Sequence, residues 1–237
     1  MRTCKVDLTL EFSHGLILMA SPSIQAVLFD MDGVLTDSEP LICEAAVRMF
    51  QEQGLPVQPE DFLPFVGTGE DRYLGGVAEK YGFKIHLAES KKRTYEIYLA
   101  LVPDQLKAFP GAVELVRTCK AHGLAIALVS SADTIKIHAN LNKIGLPSNL
   151  WNAIVTAEHV QRKKPAPDLF LSAAKILNLP SGACVVIEDA INGIEAARAA
   201  NMRCVAVAQT FPSDRLQLAD RIRPSVADLT LDDLMNW

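Results

Sequence analysis

The sequence predicts an α/β fold, in which a doubly wound parallel sheet is flanked by helices and interrupted by an inserted α-helical domain. Short apolar runs alternate with longer amphipathic stretches from Gln25 onward. Such near-continuous runs are typical of strands that are buried on both faces of a parallel sheet. One gap between the runs is far longer than the others, which indicates the insertion. With 237 residues, of which 49% are hydrophobic, the chain can hold a core domain and a smaller second domain.

Five apolar runs are predicted to form the strands of this sheet. They are AVLFD ending at Asp30, LAIALVS ending at Ser130, AIVTA ending at Ala157, CVVIED ending at Asp189 and CVAVAQ ending at Gln209. The amphipathic stretches between the later runs predict helices over 111–122, 133–144, 167–178 and 191–200. This alternation of strands and helices is the pattern of a doubly wound α/β domain.

The long gap separates the first run, which ends at Asp30, from the second, which begins near Leu124. It contains no strand-like run, and helices are predicted there over 40–53, 70–81 and 88–101. We therefore expect a helical cap of residues 38–107, inserted into an α/β core of residues 24–37 and 108–237. Both connections between the predicted core and cap contain proline or glycine, so we expect hinges at Asp37–Pro40 and Ala108–Gly111.

Charge and cysteine content restrict the classes of partner. The formal net charge of −5 gives no reason to expect a nucleic acid or an anionic membrane as partner. The five cysteines form no C-x-x-C pair, and their odd number disfavours a disulfide framework. Together these features favour a reducing compartment, the cytoplasm, for a chain that we expect to be a monomer.

The first 23 residues are left outside the predicted fold. They combine a basic start with a short apolar patch, GLILMA, that is too short to span a bilayer. Asp7 and Glu11 precede this patch, so the segment matches a secretory signal poorly. A dispensable tail and an organelle transit peptide are the alternatives, and the second would place the protein in a chloroplast.

Two carboxylates follow the first predicted strand in the motif Asp30-Met31-Asp32-Gly33. Open parallel sheets bind ligands at the carboxyl ends of their strands, and Gly33 permits the tight turn that exposes both acids there. Like charges this close resist joint ionisation unless a cation neutralises them. Oxygen ligands suit a hard ion, so we predict Mg²⁺ at this position. Without that context, a D-x-D turn would more often cap a helix or lie in solvent.

Further polar residues stand at or just beyond the ends of later strands. Ser130 ends the second run, where its hydroxyl and nearby backbone N–H groups could hold a phosphoryl oxygen. Lys164 stands in a proline-rich stretch that cannot become helical before Pro167. Glu188 and Asp189 end the fourth run, where buried acids are costly unless they are paired or bound to a metal. Each of these residues, taken alone, more often has a purely structural role. Because all of them lie at or just beyond the carboxyl ends of strands, together they predict a phosphate-binding site.

With these residues in this order, the chain resembles the haloacid dehalogenase-like (HAD) hydrolase superfamily from about Ile24 onward. The four motifs of that superfamily match Asp30-Met31-Asp32-Gly33, Ser130, Lys164 in K-P-A-P-D, and Glu188-Asp189. The resemblance implies a Rossmann-like core, and the inserted helices resemble the C1-type cap of the β-phosphoglucomutase and phosphoglycolate phosphatase branch. Within that branch, VGTGEDRYLGGVAEKYG and SSADTIKIHANL are similar to the hydrolase module of plant chloroplast quenching-suppressor proteins.

The resemblance implies a Mg²⁺-dependent phosphatase that acts on a small phosphorylated metabolite, such as a sugar phosphate. Asp30 would attack phosphorus and form an aspartyl-phosphate. Asp32 would protonate the leaving oxygen and then activate the hydrolytic water. The other implied roles are metal ligands at Asp30, Asp32 (through its backbone carbonyl) and Asp189, phosphate ligands at Ser130 and Lys164, and supporting residues at Glu188, Gly33 and Ser131.

Departures from the mutase pattern favour a phosphatase. The histidine that mutases of this branch carry shortly after motif one corresponds to Ile42 here. Their cap arginine, which holds a second phosphate, corresponds to Glu70, which would repel one. Lys91 is a candidate match to a cap lysine of the mutases, but a position on a solvated helix face is the favoured interpretation. A phosphomutase of the β-phosphoglucomutase type and a non-catalytic HAD-fold binding or regulatory module are the alternatives.

Overall fold

The computed structural model describes residues 23–237, which form a six-stranded, all-parallel sheet with helices on both faces. The strands are β1 (Ala26–Phe29), β2 (Ala125–Val129), β3 (Ala153–Val155), β4 (Cys184–Glu188), β5 (Arg203–Val207) and β6 (Arg221–Arg223). Their order in the sheet is β3-β2-β1-β4-β5-β6. The chain winds outward in both directions from β1, so the predicted doubly wound α/β fold is confirmed.

Eight α-helices occur in the described part of the chain. Three lie between β1 and β2, namely α1 (Glu39–Glu52), α2 (Glu70–Lys80) and α3 (Leu87–Gln105), and are called the helical insertion below. The others are α4 (Ala112–Ala121), α5 (Thr134–Lys143), α6 (Asp168–Leu177), α7 (Ile191–Ala199) and α8 (Leu231–Met235).

The central strand β1 is buried on both faces. Val27 and Phe29 pack in a cluster with apolar residues of α4 and α5, whereas Ala26 and Leu28 pack with those of α6 and α7. Because successive side chains of a strand point to opposite faces, a strand between two helical layers needs an uninterrupted apolar sequence. This burial fixes the end of β1, and thereby the position of the first acidic residue that follows it.

The helical insertion has an apolar cluster of its own, in which the side chains of Phe50, Phe62 and Tyr98 are almost completely buried. Its two connections to the rest of the chain run side by side: the Asp37 N–H donates to the carbonyl oxygen of Lys107 at 3.0 Å. These contacts agree with an inserted unit. The division into a core (24–37 and 108–237) and a cap (38–107), with hinges at the crossings, stays a prediction.

Two short elements were not expected from the sequence. Strand β6 is a three-residue edge strand in which Ile222 stands between two arginines, so it has no apolar run. Helix α8 has only five residues, and Thr230 caps its first turn by accepting the Asp233 N–H at 3.3 Å. Helix α3 extends to Gln105, beyond the predicted end at 101, and contains Pro103 in its last turn. Elements at the edge of a fold need fewer buried residues, so their pattern is weaker.

Apart from Ser23, the N-terminal segment 1–23 lies outside the described residues, and the tail and transit-peptide alternatives stay predictions. Among the helices of residues 23–237, none combines the length and the apolar character that crossing a membrane requires.

Candidate active site

A cavity between the carboxyl ends of the central strands and the helical insertion brings all the predicted site residues together. Those that line it are Asp30, Asp32, Gly33, Ser130, Ser131, Lys164, Glu188 and Asp189. All except Asp32, which is partly exposed, are buried. The cavity lies where the strand order reverses, which is where open parallel sheets bind ligands.

Lys164 lies between two buried carboxylates in this cavity. Its Nζ is 2.5 Å from Asp30 Oδ1 and 2.6 Å from Glu188 Oε1, and it donates to the Val129 carbonyl oxygen at 3.2 Å. Burial would lower the pKa of Lys164, but Asp30 and Glu188 outweigh this effect and raise the pKa. The lysine is therefore charged. Because its three N–H groups all have protein acceptors, a phosphoryl oxygen would share or replace one of them.

The sheet fixes the backbone of Asp30, although burial disfavours the charged form of its carboxyl group. Its backbone N–H donates to the Ile187 carbonyl oxygen at 3.0 Å, in continuation of the sheet. Burial raises the pKa of Asp30 to about 7; Lys164 opposes this shift, and the carboxyl groups of Glu188 and Asp32 add to it. Lys164 engages Oδ1, and no donor in the described part of the chain bonds to Oδ2. One oxygen of Asp30 is thus fixed and the other is available.

Asp189 is a buried carboxyl group without a basic partner. It is 3% exposed, and no lysine or arginine of residues 23–237 forms an ion pair with it. Burial raises the pKa of Asp189 well above its ordinary value, and Glu188 and Asp30 raise it further, while a hydrogen bond with Thr210 opposes the shift. Such a group is stable in its charged form only if a cation lies beside it.

The residues present fit Mg²⁺. Oδ2 of Asp30 and the carboxylate of Asp189, which has no basic partner among the described residues, are hard oxygen donors. Mg²⁺ commonly takes one or two carboxylates plus water and phosphate oxygens. Within residues 23–237, no three acidic, histidine or cysteine side chains form a complete ligand set. Two carboxylates suit an ion such as Mg²⁺, which keeps part of its coordination shell for water and substrate oxygens.

Gly33 is required for close packing as well as for the turn. It has φ +84°, a conformation that favours glycine. A Cβ at this position would lie 1.9 Å from Asp189 Oδ2 and 2.6 Å from Thr210 Oγ1. The carbonyl oxygen of Gly33 also accepts a hydrogen bond from Gln209 Nε2 at 2.7 Å. The loop after β1 thus lies directly against the carboxylate of Asp189.

Two serines that follow β2 offer hydroxyl groups to the cavity. Ser130 Oγ accepts the Ala132 N–H at 3.1 Å, which leaves its own hydroxyl hydrogen free to donate to a ligand. Ser131 Oγ is buried and has no hydrogen-bond partner among the described residues. A buried hydroxyl without a partner is unfavourable. Ser131, expected only as a supporting residue, is therefore a second group that an oxyanion would satisfy.

Lys136, which the sequence pattern did not reveal, is the basic partner of Asp32. It lies in the first turn of α5, is 3% exposed, and places Nζ 3.0 Å from Asp32 Oδ2 and 3.2 Å from Glu70 Oε1. Burial would lower the pKa of Lys136, but Asp32 and Glu70 raise it well above its ordinary value. Ser38 donates to the other oxygen of Asp32. Both carboxylate oxygens are thus engaged, so only the backbone carbonyl of Asp32 stays a predicted metal ligand.

Glu39 and Tyr73, also not expected from the sequence, line the side of the cavity formed by the helical insertion. The Tyr73 hydroxyl donates to Glu39 Oε1 at 2.9 Å. Burial raises the pKa of Glu39 to about 7, although Lys136 and Tyr73 oppose the shift. Lys136 could have been found, because it and Asn140 are polar residues four apart on a predicted helix that directly follows Ser130. No comparable pattern marks Glu39 or Tyr73.

Ionic contacts join the helical insertion to the sheet-bearing part of the chain. Lys91 Nζ lies 2.8 Å from Asp71 Oδ1 and 2.9 Å from Asp133 Oδ2, so the prediction of a solvated helix face for Lys91 is wrong. Lys163 Nζ lies 3.0 Å from the other oxygen of Asp71. The cavity is therefore covered by an insertion that is held in place by paired charges.

The chain matches known proteins over most of its length. A family model described as haloacid dehalogenase-like hydrolase matches residues 24–201. Protein SUPPRESSOR OF QUENCHING 1, chloroplastic, from Arabidopsis thaliana is 49% identical over 90% of this chain, which spans 21% of that protein's length. Hexitol phosphatase B from Escherichia coli (strain K12) is 32% identical over 92% of this chain and 100% of its own length.

Solved structures agree in fold. CbbY from Rhodobacter sphaeroides, in complex with phosphate, superposes with a TM-score of 0.80 at 26% identity and covers 89% of this chain and 99% of its own. The resemblance inferred from the motifs is confirmed by the family model and by these relatives. Since that model covers most of the chain and the fold agrees, the chain belongs to the haloacid dehalogenase-like hydrolases and is an enzyme of that family.

Proposed function

We propose that the chain is a Mg²⁺-dependent phosphatase that hydrolyses small phosphate monoesters, of the sugar phosphate type, through an aspartyl-phosphate on Asp30. The observation that carries the proposal is the arrangement of Asp30, a buried carboxylate at the end of β1 whose Oδ1 lies 2.5 Å from Lys164 Nζ. The name of one relative, hexitol phosphatase B, supports the substrate class.

Asp30 is suited to attack on phosphorus because its orientation is fixed while one oxygen is free. In the proposed step, Oδ2 forms a bond to phosphorus as the bond to the leaving oxygen breaks, and water later displaces Asp30 from the phosphoryl group. A pKa of about 7 means that much of Asp30 is protonated at neutral pH when Lys164 is its only cationic neighbour. The nucleophile therefore needs additional positive charge nearby.

Asp32 is proposed as the general acid for the leaving oxygen and then as the general base for water. The hydrogen bonds from Ser38 and Lys136 fix the direction of its carboxyl group. Its side chain is 22% exposed, whereas that of Asp30 is 10% exposed, so water in the cavity reaches it more easily. A fixed carboxyl group beside solvent is what both proton transfers require.

The phosphoryl oxygens are proposed to bind to Ser130, Ser131 and Lys164. The hydroxyl hydrogen of Ser130 is free, and the buried hydroxyl of Ser131 has no partner among the described residues. Lys164 brings its positive charge between the attacking carboxylate and Glu188. Donors that are already in place stabilise the charge that develops in the transition state without further reorganisation.

Asp30 and Asp189, together with the backbone carbonyl of Asp32, would hold Mg²⁺. When bound, the ion supplies the charge that offsets the repulsion between an anionic phosphate and an anionic nucleophile. Glu188 contributes indirectly, because its Oε2 accepts the backbone N–H groups of Asp189 and Ala190 at 2.9 and 3.1 Å and thereby fixes the loop that carries Asp189.

Turnover of phosphate monoesters tests the proposal. The purified chain is incubated with Mg²⁺ and a panel of sugar and polyol phosphates, and released phosphate is measured. We expect Asp30→Asn and Asp32→Asn to lose activity and Asp37→Asn, an exposed position in the same loop, to retain it. Activity that survives in Asp30→Asn would overturn the nucleophile assignment. Binding of esters without turnover would favour a non-catalytic module.

Analysis of the products separates the phosphatase from a phosphomutase. A phosphatase releases inorganic phosphate in proportion to substrate consumed. A mutase would instead isomerise a sugar monophosphate after priming by a sugar bisphosphate. We also propose that the chain is a monomer, which sedimentation equilibrium would test.

We propose a chloroplast location in preference to the cytoplasm. The support is the name of the plant relative, which is chloroplastic and 49% identical. Imaging of a fluorescent fusion to the carboxyl end of the chain in leaf cells tests the proposal. Fluorescence that coincides with chlorophyll supports it, and uniform fluorescence of the cytosol contradicts it.

A further inference from the structure

The active-site cavity is too small for a whole sugar phosphate. Its volume is about 50 Å³. Since a single water molecule needs roughly 10–15 Å³, this cavity has room for a few water-sized groups, such as the oxygens of one phosphoryl group. The leaving group of the proposed reaction must therefore lie outside it, on a side that the structure leaves open.

Two contacts close the active-site cavity where the helical insertion meets the rest of the chain. Asn192, in the first turn of α7, donates from Nδ2 to the carbonyl oxygen of Gly67 at 2.5 Å. Lys136 Nζ lies 3.2 Å from Glu70 Oε1, and both of these side chains are buried. All four residues line the cavity. A leaving group that passed at either place would have to separate these partners.

A second and larger cavity, called the distal cavity below, adjoins the first. Its volume is about 450 Å³, which lies within the range of roughly 300–1,000 Å³ that is typical of small-molecule sites. Five residues line both cavities, namely Gly33, Glu39, Val66, Tyr73 and Thr210. The space available to a leaving group is therefore continuous with the phosphate site.

Much of the remaining wall of the distal cavity is apolar. Leu63 lines it and is 64% exposed, which makes it the most exposed large apolar side chain in the described part of the chain. Among the described residues, no lysine, arginine or histidine lines this cavity. The other apolar residues of the wall are Pro40, Pro59, Phe62 and Phe109. An apolar group of a ligand that covered Leu63 would remove apolar surface from water.

Glu39 lies where the two cavities meet. Its Oε1 accepts the Tyr73 hydroxyl at 2.9 Å, whereas Oε2 accepts no hydrogen bond from a described residue. Oε2 is also not one of the fully buried polar atoms that lack a partner. Because Glu39 is partly exposed and lines both cavities, this oxygen is accessible from them. A hydroxyl group of a ligand that extends from one cavity into the other can donate to it.

We propose that the leaving group extends past Glu39 into the distal cavity, where Glu39 Oε2 accepts a hydroxyl hydrogen and Leu63 contacts an apolar far end. The inference rests on the proposed phosphatase function, because it concerns the leaving group of that reaction. The substrate class is then a phosphate monoester of a polyhydroxy compound that carries an apolar group at the end opposite the phosphate, such as an aryl glycoside phosphate.

The apolar contact is tested with two substrates that differ only at the far end. These are phenyl β-D-glucoside 6-phosphate and methyl β-D-glucoside 6-phosphate, each measured as kcat/KM with Mg²⁺. We expect the wild-type chain to prefer the phenyl compound by about tenfold, because the ring buries more apolar surface. Leu63→Ala should reduce this preference by about threefold. Leu171→Ala is the control, since Leu171 is exposed on α6 and lines neither cavity.

The hydroxyl contact is tested with sorbitol 6-phosphate and hexyl phosphate, which share a six-carbon chain and differ in their hydroxyl groups. Glu39→Gln keeps an acceptor for the Tyr73 hydroxyl but removes the charge. It should lower the ratio of the two kcat/KM values by about fivefold, because a hydrogen bond to a charged group is stronger than one to a neutral group. If this variant does not fold, Glu39→Asp, which withdraws the oxygen, should lower the same ratio. Glu89→Gln, at an exposed position of α3, should leave it unchanged.

Two results would overturn the inference. One is equal kcat/KM for the phenyl and methyl compounds in the wild-type chain, or a preference for the phenyl compound that Leu63→Ala does not change. The other is a ratio of sorbitol 6-phosphate to hexyl phosphate that is the same in the wild-type chain and in the Glu39 variants. Inactivity of the wild-type chain on every ester would instead overturn the proposed phosphatase function itself.

Discussion

Replacement of Asp30 by Asn is expected to stabilise the metal-free fold while it abolishes activity. Asp30 is 7% exposed, and burial raises its pKa from 3.8 to about 7 despite the nearby Lys164. The ionised carboxylate is therefore less favourable in the folded chain than in the unfolded chain. Asn has nearly the same shape as the neutral carboxyl group and carries no charge, so it removes this penalty.

The magnitude follows from the pKa difference. A raised pKa means that the folded chain binds the proton more tightly, so the free energy of unfolding falls as the pH rises from about 4 to about 7. At about 1.36 kcal/mol per pH unit, the difference between 3.8 and about 7 corresponds to about 4 kcal/mol above pH 7. Since the charge of Glu188 contributes to the raised pKa of Asp30 and can itself change on folding, we expect a gain of about 2–4 kcal/mol in Asp30→Asn. The gain should be less than half as large at pH 5.

Equilibrium urea unfolding in EDTA, at pH 5 and at pH 8, measures this effect. Asp37→Asn serves as the control, because Asp37 is exposed in the same loop and its substitution should change the unfolding free energy by less than about 0.5 kcal/mol. Added Mg²⁺ should stabilise the wild-type chain more than Asp30→Asn, because the variant lacks one of the two carboxylates of the proposed metal site.

The opposite order of stability would refute this reasoning. If Asp30→Asn is less stable than the wild-type chain at pH 8 in EDTA, then the pair with Lys164 stabilises the ionised carboxylate more than burial destabilises it. A gain that is the same at both pH values would show that the effect does not come from ionisation of Asp30.

Two further substitutions probe the surroundings of the catalytic groups. Lys136→Met should lower kcat strongly and destabilise the fold by about 3–5 kcal/mol, because Asp32 and Glu70 would lose the cation that compensates their burial. Activity assays and urea unfolding measure both effects. Gly33→Ala should abolish activity, because its Cβ would lie 1.9 Å from Asp189 Oδ2 and displace that carboxylate; phosphate release and the Mg²⁺ concentration dependence measure it.

Controls for both substitutions exist in the chain. Lys175→Met, at an exposed position of α6, should leave activity and stability nearly unchanged. Gly54→Ala tests the backbone effect alone, since Gly54 has φ +83° but a methyl group at that position would meet no other atom within 4 Å. Equal activity losses in Gly33→Ala and Gly54→Ala, or full activity in Lys136→Met, would contradict the assigned roles.

The sheet could be predicted because its central strands are buried on both faces. AVLF and CVVI each form one uninterrupted apolar run, and both lie in strands at the predicted positions. Strand β6 at the sheet edge, Arg221–Arg223, could not be predicted in this way, because its side chains are only partly buried. The helices of the insertion were found from their periodicity, but their arrangement around the cavity depends on packing that periodicity does not encode.

The residues of the candidate site fall into two groups as well: those placed by the ends of strands could be predicted, and those brought together by helix packing could not. Asp30, Ser130 and Asp189 follow strands directly, so the geometry of a parallel sheet brings them together once the strands are identified. Lys136 and Glu70 meet only because α5 and α2 approach each other across the cavity. Glu70 was expected to repel a distal phosphate, and that expectation stays a prediction. Its ion pair with the buried Lys136 was not expected.

Chemical trapping of the enzyme during turnover tests the role of Asp30 most directly. The chain is mixed with Mg²⁺ and a radiolabelled phosphate monoester that it hydrolyses, quenched in acid during steady-state turnover, digested and mapped. We predict a label that is stable in acid, released by hydroxylamine, confined to the peptide that contains Asp30 and absent from Asp30→Asn. Label on a different residue, or continued turnover with no labelled protein, would contradict nucleophilic attack by Asp30.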